Sequence, residues 1–316
     1  MDKLYVIGNG FDKHHGMPCG YGDFKKWLIL NRLEVYNNLV RLYGDINADW
    51  WSKFEENLSN FDPNRYPNEI GRNSFFEIQR KLVELYGDDG RAVIDGYEED
   101  GMVGVENRYH LAVAIAHFEM ERLNNDLNDA FGEWVRTIVV PMDADRIDDI
   151  DTEATFFTFN YTRTLEDLYG VDEDNVIHLH GSVDNGRFVI GHGLTIEEML
   201  DRDTEENAYD RDPNNDMGED EARMEMFQVI ADQLRKPVDD IIVENNSHFN
   251  ALETISEMEV LGFSYSKIDL PYLRKIFDIA GIIIHVRFGW HSLDDKTNAE
   301  AFATEMGLTN CELMFF

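Results

Sequence analysis

Two hydrophobic periods divide this chain. Lys3 to Ile7 is a short, partly β-branched apolar run that predicts a strand. It breaks at Gly8-Asn9-Gly10-Phe11-Asp12, and a loop with Gly16, Pro18 and Gly20 follows. Phe24, Trp27, Leu28, Val35, Leu39 and Leu42 then recur at spacings of three, four or seven, which predicts a helical stretch. Residues 45–76 are mixed and rich in aromatics, among them Trp50, Trp51, Phe54, Phe61, Phe75 and Phe76. Ala116, Met120, Leu123, Leu127, Phe131, Trp134 and Ile138 mark the buried stripe of a helix expected over 105–139.

The texture changes near residue 150. Thr155 to Phe159, Asn175 to His180 and Arg187 to Ile190 read as strands, as do Met258 to Gly262 and Gly281 to Phe288. Helices are expected at about 222–235, through Phe227, Ile230 and Leu234, and at Leu270 to Ile279. The acid-rich stretch 196–222 predicts an exposed loop or a solvated helix face. Strands separated by helices predict an α/β fold, a doubly wound, mainly parallel, Rossmann-like sheet with helices on both faces. Residues 1–24 and 150–316 are expected to form that nucleotide-binding domain. Residues 25–149 are expected to form a helical insertion or cap packed on it.

Composition narrows the function. The 316 residues carry 28 Lys+Arg against 63 Asp+Glu, a formal charge of -35. A sequence-independent nucleic-acid binder needs a cationic face, and no Lys/Arg cluster offers one. The same charge disfavours anionic membranes, and no segment has the roughly 18 uninterrupted apolar residues of a span. Cys19 and Cys311 are too few for a disulfide framework or a four-cysteine zinc site. With no leader pattern at the N-terminus, the expectation is a cytoplasmic protein with reduced thiols.

In a doubly wound sheet the chemistry sits beyond the carboxyl ends of the strands. The first expected strand ends in Gly8-Asn9-Gly10, where glycines permit a tight turn and close approach of a phosphate. The plain reading of that run is a turn capped by Asp12. The second ends in Thr158-Phe159-Asn160-Tyr161-Thr162, where the Asn160 amide could hold a water or a ribose hydroxyl, or simply form a turn. The third ends in His178-Leu179-His180-Gly181. There one histidine could serve as a general base, or both could join His192 as metal ligands. Leu261-Gly262-Phe263-Ser264, followed by Asp269 and Tyr272, repeats a Gly–Ser exit.

Taken together, Ile7-Gly-Asn-Gly-Phe-Asp12, Gly16-Met-Pro18, Tyr21, Phe159-Asn-Tyr-Thr162, His178-Leu-His-Gly181, Gly191-His-Gly193, Gly262-Phe-Ser264, Asp269 and Tyr272 resemble the AbiH family of bacteriophage abortive-infection proteins. The resemblance runs nearly end to end and is thin over 45–150 and in the acidic stretch. Phe263 stands where that family's Gly-His-Ser has histidine, so no role of that histidine carries over. The resemblance implies antiviral defence; because a constitutively active cell-killing enzyme would destroy its own host, any such activity is expected to be latent, with homo-oligomer assembly, a phage-derived trigger or a ligand as candidate releases.

The same order is similar to a remote, pared-down sirtuin NAD-binding fold. Gly8-Asn9-Gly10 and Gly16-Met17-Pro18 match a Gly-Ala-Gly turn and a Gly-Ile-Pro. Thr158 and Asn160 remain from Thr-Gln-Asn-Ile-Asp, His180-Gly181 matches the catalytic His-Gly, and Gly262-Phe263-Ser264 resembles Gly-Thr-Ser. The sirtuin zinc cysteines have no counterpart, which disfavours a deacylase. What this likeness implies is NAD, a small-molecule dinucleotide, as substrate or ligand, with hydrolysis of the nicotinamide–ribose bond and no metal. Asn160 would align the ribose and a water, and His180 would be the base. Gly8, Asn9, Gly10, Phe11, Asp12, Thr158, Tyr161, Gly181, Gly262 and Ser264 would line the dinucleotide site. The competing readings are a non-catalytic nucleotide sensor and a metal-dependent nucleotide hydrolase using His178, His180 and His192.

Overall fold

The computed structural model describes residues 3–62, 75–94, 105–206, 217–282 and 284–316. Parts of two stretches singled out above, 63–74 of the aromatic segment and 207–216 of the acidic one, lie outside them. The chain divides into two compact units: Met1–Tyr36 with Asn128–Gly193 and Lys236–Phe316, and Asn37–Leu127 with Leu194–Arg235.

The first unit is built on a six-stranded sheet. Its strands are β1 (Lys3–Ile7), β2 (Thr155–Thr158), β3 (Val176–His178), β4 (Glu257–Leu261), β5 (His285–Trp290) and β6 (Cys311–Phe315). The order is β3-β2-β1-β4-β5-β6, with every pairing parallel. The expected α/β architecture therefore holds. Period-two alternation sends Leu4, Val6, Phe157, Met258 and Val260 to one face, where they join Phe249, Ile276 and Phe302. Tyr5, Ile7, Phe156 and Leu261 go to the other, with Leu165, Leu168 and Tyr169. Both faces are covered, as a parallel sheet requires.

The structure corrects two local expectations and adds a strand. Arg187 to Ile190 is not a strand: Val189 N–H donates to the His180 carbonyl at 3.0 Å, folding the segment back over that loop instead of along a neighbour. Asn185 builds the reversal by accepting from the N–H groups of Ser182 and Arg187, at 3.0 and 2.9 Å. The helical stretch after residue 20 is two helices, Tyr21–Asn31 and Leu33–Tyr43. They part at Arg32, where φ is -138° and the guanidinium turns to Glu34 and Glu133. Strand β6 was not foreseen. Its side chains are half-exposed or exposed throughout, so it carries no apolar alternation to read.

The second unit is helical in all its described elements. Trp51, Phe54, Leu111, Met120, Leu123 and Phe227 are buried in it, so these described aromatics are core. The acidic stretch supplies the helices Ile196–Glu206 and Met217–Leu234. Thr195 and Glu198 cap the first reciprocally, side chain to backbone, at 3.2 and 2.8 Å. Glu197, Glu198 and Asp201 are exposed, the solvated face among the two readings above. Deeper in, Glu119 is buried, 2.8 Å from both the Arg41 guanidinium and the Tyr86 hydroxyl. Removing a buried acceptor leaves its donors unsatisfied. Glu119→Leu is therefore expected to cost about 2–4 kcal/mol, because the buried acceptor that both the Arg41 guanidinium and the Tyr86 hydroxyl face is lost. Urea unfolding checks this, and an unchanged midpoint would contradict it. Among the described residues, no helix is long and apolar enough to cross a membrane.

Candidate functional site

Strand order reverses between β1 and β4, the place where sheets of this kind take their ligands beyond the carboxyl ends of the strands. The two ends meet through glycine. Gly8 N–H donates to Leu261 O at 2.9 Å, and Gly10 N–H to Gly262 O at 2.8 Å. A Cβ on Gly8 would stand 2.5 Å from Gly262 O, and one on Gly10 2.7 Å from the Gly262 Cα. Both N–H groups are thus engaged with β4, and what the glycines supply at this edge is clearance. Asn9 is exposed, and its amide donates to Cys19 O at 3.0 Å, tying the turn to the following loop.

Phe11 and Asp12 point inward from the helix Asn9–His14. Phe11 is fully buried against His15 and Tyr169, a place in the core. Gly8, not Asp12, occupies the N-cap position. The Asp12 carboxylate instead accepts from Thr162 Oγ1 at 2.5 Å and Thr164 Oγ1 at 2.7 Å. Burial pushes its pKa up, against the lowering pull of the two hydroxyls, of Asn160 and of His178. Asp12 is thereby the internal tie between the first turn and the loop after β2.

That loop presents Asn160. Its backbone is held on both sides: N–H donates to Thr158 Oγ1 at 3.1 Å, and the carbonyl accepts from His178 Nδ1 at 2.8 Å. His178 Nε2 lies 3.1 Å from Glu166 Oε1, so both its nitrogens are engaged in orienting Asn160. The Asn160 amide itself is buried, yet neither Nδ2 nor Oδ1 has a hydrogen-bond partner. It stands close enough to Asp12 to favour the charged carboxylate without reaching hydrogen-bonding geometry.

His180 follows β3 in the adjacent loop. Its ring packs edge-on to Phe159 at 4.9 Å and to Tyr272 at 5.5 Å, and is 3% exposed. Nε2 also lacks a hydrogen-bond partner, and lies 3.6 Å from Asp269 Oδ1. Burial, then the nearby Lys236 and Arg187 cations, hold its pKa well below the usual histidine range, so the ring is neutral at pH 7. Gly181 is where the chain turns under Arg187: a Cβ there would stand 2.0 Å from Arg187 O. Tyr161 donates its hydroxyl to Val189 O at 2.7 Å, and its ring centroid lies 6.5 Å from that of His180. Phe263 is buried 5.0 Å from Phe159, and Ser264 is exposed at the β4 exit.

The sequence reading missed Lys236. It is 2% exposed, and its Nζ is 3.2 Å from Asp269 Oδ1. No motif surrounds it, and a single lysine between a helix end and a proline gives no signal. Of the three histidines weighed as metal ligands, His178 is committed to Asn160 and Glu166, and His192 is fully buried. Among the described residues, no group of three or more His, Cys, Asp or Glu side chains is placed to hold a metal ion.

Beside the site, His15 makes a second neutral-histidine lock. Phe11 O accepts from its Nδ1 at 2.6 Å, so Nε2 accepts from the Tyr169 hydroxyl at 2.8 Å, which in turn accepts from Ile147 N–H. Burial lowers the His15 pKa, as it does that of His180. For a histidine with a depressed folded pKa, the stability is present above its unfolded value of about 6.5 and is lost as pH falls towards the folded one. Urea midpoints are thus expected to drop between pH 7 and 5.5, and less steeply in His15→Gln. Equal slopes would remove His15 as a source.

No curated protein matches the chain. A family model described as Bacteriophage abortive infection AbiH matches residues 4–284, which span β1 to β4 and every site residue above. With the glycine crossing, the Asn160 loop and the His180 loop all inside that match, the chain belongs to the AbiH family, and its function is in phage abortive infection.

Proposed function

We propose that this chain acts in abortive infection by hydrolysing NAD at the nicotinamide–ribose bond. One observation carries the reading: Asn160 and His180 keep buried polar atoms without hydrogen-bond partners, on adjacent loops at the carboxyl edge of a parallel sheet. Buried polar groups are nearly always satisfied. The orphaned Asn160 amide, at the edge where such sheets take their ligands, supports a site that completes itself on substrate, while the His180 Nε2 beside it faces Asp269.

The chemistry asks for two roles that these residues suit. Nicotinamide departs from a cationic glycoside through an oxocarbenium-like transition state, so little acid assistance is needed. The Asn160 amide offers N–H donors on one side and an acceptor oxygen on the other, which can align a ribose hydroxyl and an attacking water. The neutral ring of His180 can accept the proton released there. Asp12, with both oxygens engaged by threonines, serves to hold the Asn160 loop rather than to touch the sugar. A formal charge of -35 gives an anionic dinucleotide no long-range attraction, so recognition rests on short-range contacts.

The test is incubation of the purified chain with NAD, alone and with lysate of phage-infected cells, resolving products by chromatography. Release of nicotinamide is the expected result. NAD binding by calorimetry without release under either condition would favour the non-catalytic sensor. Neither release nor binding would overturn the dinucleotide reading.

A further inference from the structure

Asp269 occupies the N-cap position of the helix Leu270–Ala280, but its side chain makes no capping hydrogen bond. Aspartate at that position ordinarily accepts from the first turn. Here the carboxylate turns away, to Lys236 Nζ at 3.2 Å and His180 Nε2 at 3.6 Å. Lys236 is itself sealed, its side chain 1% exposed, and lysine is almost never so buried unless paired. Its backbone is fixed as well, with N–H donating to His192 O at 2.9 Å. A cap has been given up and a cation buried to set one carboxylate beside one imidazole.

We propose that Asp269, anchored by Lys236, is the positioning residue of His180: it fixes the tautomer with the hydrogen on Nε2, leaving Nδ1 as the nitrogen that takes the substrate proton. This rests on the reading of His180 as the base. A neutral ring facing a carboxylate oxygen must present N–H, because a lone pair there would face another lone pair. Closing the 3.6 Å separation by little more than half an ångström makes a full hydrogen bond, a tightening expected of catalytic contacts when a ligand binds. In the reacting step, a proton leaves the attacking water or a ribose hydroxyl for Nδ1. The ring becomes a cation, and the Nε2–H faces Asp269, whose own charge Lys236 balances. That balance has a purpose. An uncompensated carboxylate would hold His180 protonated, and a protonated ring is no base. The charged and titratable groups facing His180 are Asp269, Lys236 and Arg187, with the Tyr272 and Tyr161 rings beside it.

The test reads the ring directly, so it stands whether or not NAD is the substrate. In the full chain labelled with ¹⁵N-histidine, long-range ¹H–¹⁵N NMR assigns the tautomer of His180, identified by the signal lost in His180→Gln. At pH 7 the Nε2–H tautomer is expected. Asp269→Asn, which keeps an acceptor, retains it; Asp269→Ala mixes the two forms. Lys236→Met moves the midpoint of His180 protonation up by about one pH unit. The double variant Lys236→Met/Asp269→Asn buries no unpaired charge and guards against misfolding; it keeps the tautomer and lacks the upward shift. An Nδ1–H ring in the parent chain, or a tautomer indifferent to Asp269→Ala, overturns the proposal while leaving the base role of His180 open. If nicotinamide release is observed, Asp269→Ala lowers kcat about 10²-fold with little change in KM.

Discussion

His180→Ala is expected to lower nicotinamide release from NAD about 10²–10⁴-fold, the range that one positioned general base contributes. The ring is neutral, buried and edged by Phe159 and Tyr272, so the substitution removes the proposed proton acceptor and opens a small apolar gap at once. His180→Gln refills much of that gap without restoring the base. Equal losses in both variants, with unfolding midpoints near the parent's, would assign the effect to chemistry. Asn160→Ala is expected to fall about 10²-fold through misalignment. Its backbone ties to Thr158 and His178 survive the change, so the loop keeps its shape. Release that persists in His180→Ala would remove the ring from the mechanism.

The largest stability loss is expected at Gly262→Ala, about 3 kcal/mol or more. A left-handed residue with a side chain costs about 1–3 kcal/mol, and an unaccommodated atom adds about 1–3. Gly262 has φ +66°, and an added Cβ would lie 2.1 Å from Phe11 N and 2.5 Å from Gly10 C. These are backbone atoms of the first turn, joined to β4 by the Gly10–Gly262 hydrogen bond, so neither side can move alone. Gly16→Ala is the matched control: φ is +76° there, and nothing stands within 4 Å of the new atom. It should show the backbone penalty alone. Denaturant midpoints measure both, and equal costs would mean that the crossing is more compliant than its packing implies.

Much of the sheet was legible because its strands are apolar runs ended by glycine or asparagine. Lys3–Ile7 was read to the residue, and β2 and β4 to within one residue at either end. The misses have physical causes. Ile190 and Val189 look like strand, but their segment is pinned across the His180 loop by Asn185 and Tyr161. Cys311–Phe315 lacks a buried face, so only its partner β5 reveals it. At the candidate site, Asn160 and His180 stood out in the sequence because they interrupt apolar runs at strand ends. Lys236 did not, since its carboxylate partner lies more than thirty residues away in sequence. The cap forgone by Asp269 was equally invisible, because N-cap chemistry and an outward turn of the same carboxylate look alike in one dimension.

The central place of β1 also sets a timetable for biosynthesis. Leu4 pairs with Thr155 on one side and with Met258 on the other, about 150 and 250 residues further along. At about 5–20 residues per second, a nascent chain waits on the order of 13–50 s between making β1 and making its second neighbour. Throughout that interval the first strand has an unpaired edge and exposed apolar side chains, the features that make a nascent chain prone to aggregate. The glycine crossing of β1 with β4 can then close only after residue 262 has been made, long after the first turn it joins.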